Sequence, residues 1–177
     1  TLILCPDCDY AANTEKAACA PDVALDKDGN PQVVTELAIE KVPCPGVETI
    51  GQMEEFFKMP ATQFIKVLIY KVYNCELDLR TAPGGQSFKR EVEGGVPVYP
   101  VCFVAVAIRG DLDVNEAKLA ANLKASEVEL AEEADVIAYS GAPHGFVGPV
   151  GLTKLPLLAD FSVMTQKEDG SFEAHVH

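Results

Sequence analysis

Lys66 and the glycine-rich segment 145–151 are the two features of this sequence best suited to chemistry. Lys66 lies within the apolar run 64–70, so its ammonium group must leave the core or find a partner there. The segment 145–151, called the glycine loop, holds three glycines and a proline, which favour turns over helix or strand. Such a loop can direct backbone N–H groups at a carbonyl oxygen, as in an oxyanion hole. The ordinary alternatives are a solvent-facing strand lysine and a tight connection between strands.

A second polar segment follows the apolar run 101–108, which predicts a buried strand. A turn at Gly110 and a capping box formed by Asp113 and Glu116 predict a helix from about Val114 to Leu123. Polar residues at this strand–helix joint serve either the joint itself or a ligand held beside it. The candidates for substrate contact here are Arg109, Asp111 and Asn115.

Histidine and acidic residues offer few further candidates. No Ser-His-Asp or Cys-His arrangement is apparent, and two of the three histidines, His175 and His177, lie in the tail. His144 directly precedes the glycine loop and is either a wall of a specificity pocket or a solvated turn residue. Glu48 precedes the first predicted helix and either faces the pocket or biases that helix.

The six cysteines leave three possibilities open. Cys5 and Cys8 have the spacing of a zinc knuckle, but a second matching pair is missing. Zinc held with two other ligands, a disulfide, and free thiols in a reducing compartment all remain possible, and free thiols are favoured. Cys102 lies in an apolar strand and is expected to be a small buried side chain.

Composition indicates one globular domain. The chain has 177 residues, 48% of them hydrophobic, enough for a sizeable core, and we predict a single domain over 1–177. Residues 1–20 are expected to be a lead-in and residues 165–177 a frayed tail. No apolar run is long enough to span a bilayer, and the start at Thr1 without a signal pattern predicts an excised or trimmed cytoplasmic domain.

The formal net charge of −13 bears on partners. Nucleic-acid binders are usually basic, because neutralising phosphates supplies much of their affinity. The charge therefore argues against tight independent binding of a whole tRNA. It does not exclude binding of one acylated terminal nucleotide.

The predicted elements occur in mixed order, which indicates an α+β or mixed α/β fold. A helix begins at Thr49 and ends before Pro60, and a strand covers about Lys66 to Val72. The segment 1–16 is predicted to end in a helical turn, and 74–96 is predicted to be a loop. Further strands are predicted at 33–42, 97–108, 152–160 and 161–164, and a strand followed by a helix is predicted within 126–139.

Four segments together resemble the editing (insertion) domain of bacterial prolyl-tRNA synthetase, a member of the YbaK-like aminoacyl-tRNA deacylases. In the family's order they are 5–17, then 45–50 with the lysine strand 64–70, then the Arg-Gly-Asp segment at 109–111, and finally the glycine loop. The resemblance spans Leu4 to about Asp160. It implies a curved, partly barrel-like mixed sheet flanked by helices.

The resemblance also implies an activity and its parts. The chain is expected to be a deacylase, a carboxylic ester hydrolase that removes alanine misattached to proline tRNA without a metal or other cofactor. Lys66 would anchor the phosphate at the tRNA end, and Gly145 and Gly148 would orient the aminoacyl carbonyl. The expected partners are the tRNA 3′ aminoacyl end and the catalytic and anticodon-binding domains of a parent synthetase. The expected substrate-binding residues are His144, Phe146, Pro149, Arg109, Asp111, Asn115 and Glu48.

Two other functions remain possible on the sequence alone. A non-catalytic module that binds aminoacyl-tRNA or a protein would suit the acidic charge. A zinc-stabilised structural domain would suit the cysteine spacing at the N-terminus. Oligomeric state is not indicated by any feature of the sequence.

Overall fold

The computed structural model describes residues 2–6, 8–13, 17, 40–75, 91–93, 96–98, 101–166 and 172–174. Its helices are α1 (Ile50–Phe57), α2 (Glu116–Leu123) and α3 (Glu133–Ser140), with short 3₁₀ turns at Ala61–Gln63 and Phe161–Val163. Its strands are β1 (Leu2–Leu4), β2 (Ala11–Asn13), β3 (Ile65–Tyr73), β4 (Glu91–Glu93), β5 (Val96–Val98), β6 (Cys102–Arg109), β7 (Glu127–Leu130), β8 (Leu157–Ala159), β9 (Met164–Gln166) and β10 (Phe172–Ala174).

A four-stranded mixed sheet in the order β7-β3-β6-β8 forms the centre of the fold. β3 pairs antiparallel with β6, which places Lys66 opposite Ile108, and β7 pairs antiparallel with the other edge of β3. β8 runs parallel to β6. The mixed α/β class is thus confirmed. The described strands form no closed barrel, and the partly barrel-like shape stays a prediction.

The sheet is covered on both faces. Tyr70 and Val72 point to one face, where they pack with Leu119 and Leu123 of α2. Val67 and its alternate neighbours point to the other face, where they pack with α3 and the segments after it. Burial on both sides explains why β6 is an almost unbroken apolar run, as in sheets with both faces covered.

The start of α1 follows the prediction from sequence. The Thr49 side chain accepts a hydrogen bond from the Gln52 amide at 3.3 Å, and the Gln52 side chain accepts from the Thr49 amide at 3.0 Å. This reciprocal arrangement is a capping box, which satisfies two amides that have no partner within the helix. The helix ends at Lys58 in the left-handed conformation, before Pro60.

The predicted start of α2 was wrong. Asn115, not Asp113, is the N-cap, and its side chain accepts from the Lys118 amide at 3.1 Å. The helix accordingly begins at Glu116 rather than Val114. The Asp113 carboxylate instead pairs with Lys66, and Asn115, two residues further on, supplies the cap.

Other boundaries also differ from prediction. The strand expected over 97–108 is two strands, β5 and β6, and that expected over 152–160 is only Leu157–Ala159. The strand predicted from Phe161 is a 3₁₀ turn, because Asp160 caps it by accepting from the Ser162 amide at 2.9 Å. β9 follows that turn.

The two ends of the chain contain paired strands. β1 pairs with β2, and Ala17 N donates to Asn13 O at 2.8 Å, the helical-type bond expected near the end of 1–16. Within the segment expected to fray, β10 pairs with β9. Most of the strand predicted at 33–42 and of the loop at 74–96 lies outside the described residues. No helix in the described parts of the chain is long and apolar enough to cross a membrane.

Candidate functional site

Lys66 is held at the start of β3 by an ion pair. Its Nζ lies 2.9 Å from Asp113 Oδ1, and the Lys66 side chain is 23% exposed while that of Asp113 is 98% exposed. An ion pair with so exposed a partner contributes under about 1 kcal/mol. The ammonium group is therefore held only weakly, and another anion can replace its partner.

Arg109 and Asp111 form a second pair beside the first. Arg109 Nε donates to Asp111 Oδ1 at 2.6 Å and Nη2 donates to Oδ2 at 3.1 Å, so the contact is bidentate. The hydrogen bond from Arg109 is the main reason that the pKa of Asp111 is lowered, and the charge of Lys66 adds to it. The two pairs therefore lie near each other, as a charged cluster at the end of β6 and the turn after it.

Asn115 occupies the joint between this cluster and α2. Its side-chain bond to the Lys118 amide accounts for its position as a helix cap. Tyr70, below it on the α2 face, is 3% exposed. Burial, together with the negative charges of Glu116 and Asp113, raises the pKa of Tyr70 to about 12.

The glycine loop leaves the end of α3. Gly141 ends that helix in the left-handed conformation with φ of 76°. The Ser140 hydroxyl donates to Val136 O at 2.7 Å and accepts from the Ala142 amide at 3.1 Å, which ties the loop's entry to the helix. Lys154 Nζ donates to Ala138 O at 3.2 Å, which ties its exit to the same helix.

Gly145 and Gly148 differ in how closely the surrounding atoms approach them. Gly145 has φ of 83°, and a Cβ atom there would lie 3.1 Å from Glu48 O. Both the conformation and the close approach therefore require glycine. A Cβ atom at Gly148 would meet nothing within 4 Å. Glu48, predicted as a pocket residue, thus meets the loop through its backbone carbonyl.

A small cleft of about 190 Å³ lies along the glycine loop. Phe146 and Gly148, two of the expected site residues, line it together with Ser140, Ala142, Val147, Val150, Gly151 and Leu152. His144 is exposed and is not among the lining residues, and Pro149 is half-buried and also lies outside the lining.

A larger cleft of about 480 Å³, called the arginine cleft, lies at the junction of β3 and β6. Arg109 lines it, as do seven residues that the sequence did not single out: Met59, Thr62, Gln63, Phe64, Ile65, Ser162 and Val163. The Arg109 amide lies 3.3 Å from Ser162 Oγ, which accepts a hydrogen bond from it. The sequence holds little sign of this cleft. Thr62 and Gln63 lie just before the lysine strand, but Ser162 is 53 residues from Arg109, so the sequence could not show that they meet.

The predicted residues form two groups rather than one. Lys66 alternates with Val67 along β3 and shares the α2 face with Tyr70, whereas Val147 of the glycine loop packs on the α3 face. The Lys66–Asp113 pair therefore lies on the opposite side of the sheet from the glycine loop. Arg109 lies opposite Ile65 in the β3–β6 pairing and so points to the α3 face, while its partner Asp111 is near enough to Lys66 for the charge of Lys66 to lower its pKa.

Lys71, the other lysine of β3, points to the opposite face of the strand from Lys66, as strand alternation requires. Its Nζ lies 3.4 Å from Glu129 Oε1 and 5.2 Å from the centre of the Tyr73 ring. The Tyr73 hydroxyl also donates to Glu129. The hydrogen bond between Lys71 and Tyr73 is the main reason that the pKa of Lys71 is raised. The hydrogen bond that Tyr73 donates to Glu129 is the main reason that the pKa of Glu129 is lowered. All the partners recorded for Lys71 are thus side chains of β3 and β7.

Among the described cysteines, Cys102 is fully buried, as predicted. Burial, with the neighbouring Cys75 thiol, raises the pKa of Cys102 to about 12, so this thiol is unreactive. The described cysteines 5, 8, 44, 75 and 102 form no disulfide. Within the described ranges, no group of three or more His, Cys, Asp or Glu side chains is placed to hold a metal ion.

Comparison with known proteins gives a consistent result. Residues 44–177 match the family described as aminoacyl-tRNA editing domain. The chain is 46% identical over 164 residues to a proline–tRNA ligase of Treponema denticola, covering 93% of this chain and 26% of that protein. It is 40% identical to a proline–tRNA ligase of Treponema pallidum, and the match covers 87% of this chain and 23% of that protein. It is 36% identical to a proline–tRNA ligase of Desulforamulus reducens, and the match covers 92% of this chain and 23% of that protein.

The chain thus spans about a quarter of the length of the curated relatives it matches. A crystal structure of a hypothetical protein aligns with 70% of this chain at 22% identity and a TM-score of 0.42. That score is too low to support an argument about fold or function.

Proposed function

The chain belongs to the aminoacyl-tRNA editing domain family, and from this we propose that it is a deacylase that hydrolyses the ester between a small amino acid and the 3′ end of a tRNA. We propose alanine on proline tRNA as the substrate and treat residues 1–177 as one editing domain. The observation that carries the proposal is the identity of 46% to a proline–tRNA ligase across 93% of the chain.

A physical need supports the choice of substrate. A synthetic site that fits proline cannot strongly exclude the smaller alanine, because missing methylene groups change binding by only about 1–3 kcal/mol each. A second site that admits only small side chains removes the error by hydrolysis. The cleft along the glycine loop, about 190 Å³ in volume, is small enough to act as such a sieve.

Lys66 is the proposed anchor for the phosphate at the tRNA end. Its ammonium group lies near the start of β3, 2.9 Å from Asp113 Oδ1, and the Asp113 side chain is 98% exposed. A phosphate can replace that carboxylate without burying an unpaired charge. Arg109 and Asp111 lie beside it and would keep the local charge balanced.

The glycine loop is the proposed site of the ester carbonyl. Gly145 is held in a left-handed conformation against Glu48 O, so its peptide groups are oriented before any substrate binds. Fixed amide dipoles stabilise the negative charge that develops on a carbonyl oxygen under attack. Phe146, His144 and Pro149 would form the surroundings of the amino-acid side chain.

Lys66 and the glycine loop lie on opposite faces of β3, so the substrate must pass around the end of that strand. A terminal nucleotide held by its phosphate at Lys66 would reach the loop with its ester. In this scheme the ribose hydroxyl of the substrate positions the attacking water, and no metal ion takes part. The water adds to the ester carbonyl, and the ribose oxygen leaves with a proton.

We propose that the domain works within a larger cytoplasmic synthetase. The relatives are named as proline–tRNA ligases and are about four times as long as the region they share with this chain. Catalytic and anticodon-binding domains of such a protein would hold the tRNA body. That arrangement would also explain how a domain with net charge −13 acts on RNA.

A non-catalytic binding module on the same fold is the second candidate. Two observations favour it: the net charge of −13 and the separation of Lys66 from the glycine loop by the sheet. Measured ester hydrolysis separates the two functions. The test is a deacylation assay with alanine, cysteine and proline esters of proline tRNA, in which a module that only binds would leave all three esters intact.

A further inference from the structure

We propose that the arginine cleft binds the base of the terminal nucleotide of the RNA acceptor end, stacked on the Arg109 guanidinium. The inference rests on the proposed function and adds a binding site for a part of the substrate to which no residue has yet been assigned. The cleft is open, is larger than that along the glycine loop, and lies next to Lys66 in the chain.

The cleft has the composition of a nucleobase site. Phe64 and Val163 form an apolar floor and are 8% and 4% exposed. Thr62 and Gln63 lie at the exposed rim and carry a hydroxyl and an amide. Small-molecule sites are typically clefts of about 300–1,000 Å³ with a mostly apolar lining and a few polar groups, and 480 Å³ lies in that range.

Arg109 offers a planar group that is fixed before the base arrives. Its bidentate contact with Asp111, at 2.6 and 3.1 Å, holds the guanidinium in one plane. Proteins that recognise unpaired RNA bases stack them on aromatic rings or on guanidinium planes. A lysine at this position would carry the same charge but no stacking surface.

The charge of the chain makes such a contact necessary. Most proteins that bind nucleic acids gain affinity by neutralising several phosphates. A chain with net charge −13 is poorly suited to do so beyond a single anchor at Lys66. Base stacking is insensitive to net charge and is the other large source of affinity for single-stranded ends.

The geometry also fits one nucleotide. Ile65 lines the cleft, Lys66 follows it in β3, and Arg109 lies opposite Ile65 in the β3–β6 pairing. The proposed phosphate anchor and the proposed base site therefore lie at the same end of β3 but on opposite faces of it, so the nucleotide would span the end of the strand. The terminal nucleotide is the one that carries the ester, so its base is the one assigned to the cleft.

A two-by-two kinetic experiment tests the assignment. Alanylated RNA minihelices with and without the terminal base are hydrolysed by the wild type and by Arg109→Lys. For the wild type, removing the base is expected to raise KM about tenfold with kcat little changed. Arg109→Lys is expected to raise KM by a similar factor for the intact RNA and to have little effect on the RNA without the base.

A second variant guards against a folding defect in Arg109→Lys. Gln63→Trp fills the rim of the cleft and is expected to raise KM only for the RNA that carries its base. The matched control is Asn122→Trp on the exposed surface of α2, which should leave KM unchanged for both RNAs.

The outcomes separate this inference from the proposed function. If the wild type cleaves both RNAs with equal KM, or if the effects of the variant and of base removal simply add, the base does not bind in the arginine cleft. If the wild type cleaves neither RNA, the proposed function fails and this inference fails with it.

Discussion

Asp113 Oδ1 lies 2.9 Å from Lys66 Nζ, although the two residues are 47 positions apart in the sequence. The contact links the turn before α2 to the first residues of the central strand β3. It places a replaceable carboxylate on the side chain that the proposed mechanism needs for a phosphate.

Lys66→Ala is expected to reduce deacylation at least about tenfold, roughly 1.4 kcal/mol of barrier, because the phosphate loses its anchor. The melting temperature should change little, since the ion pair with Asp113 is largely exposed. Lys71→Ala is the matched control, because its ion pair with Glu129 lies on the other face of β3. Wild-type activity in Lys66→Ala, with unchanged melting, would remove Lys66 from the mechanism.

Asp113→Asn is expected to lower KM for aminoacyl-tRNA by up to about fivefold with kcat unchanged. The reason is that the carboxylate competes with the phosphate for Lys66, and exposed ion pairs contribute about 0.2–1 kcal/mol. Asp9→Asn, an exposed change of equal charge in the N-terminal segment, controls for net charge. An equal fall in KM in both variants would show a general charge effect and contradict the competition.

Gly145→Ala is expected to lower the free energy of unfolding by about 1–3 kcal/mol, because alanine is strained at a φ of 83°. The new Cβ atom would also lie 3.1 Å from Glu48 O. Gly148→Ala meets nothing within 4 Å and should be neutral or slightly stabilising. Thermal melting of the pair measures the difference, and equal melting temperatures would show that the loop is not held at Gly145.

His144→Ala is expected to weaken discrimination between alanine and proline esters more than it slows cleavage of the alanine ester. His144 precedes the glycine loop but is exposed and lies outside the cleft's lining, so it can act as a wall only when a substrate is bound. The ratio of kcat/KM for the two esters measures the effect. An unchanged ratio identifies His144 as a turn residue.

Local patterns predicted local structure well. The helix predicted to begin at Thr49 does so, because its cap depends only on Thr49 and Gln52 within one helical turn. The lysine strand was found because β-branched and aromatic residues pack well on a sheet covered on both faces. By contrast, the cap of α2 was wrongly assigned to Asp113. The sequence cannot show that the Asp113 carboxylate pairs with Lys66, which lies 47 positions away.

The candidate site was only partly predictable for the same reason. The glycine loop, Lys66 and Arg109 have distinctive types or neighbours, so the sequence singled them out. The arginine cleft arises where Thr62 and Gln63 meet Ser162 across the fold, and nothing in either segment indicates the other. Lys66 and the glycine loop lie on opposite faces of the sheet. The sequence could not show this, because it depends on which helix covers each face.

The most direct measurement of the central claim is hydrolysis of alanine and proline esters of proline tRNA by the purified chain, after dialysis against a metal chelator. We predict that the alanine ester is cleaved and that the proline ester is cleaved about five- to 150-fold more slowly, since a misfit group in a rigid pocket costs about 1–3 kcal/mol. Equal cleavage of both esters would contradict the small-residue sieve. No cleavage of either ester, with the chain folded, would contradict the deacylase itself.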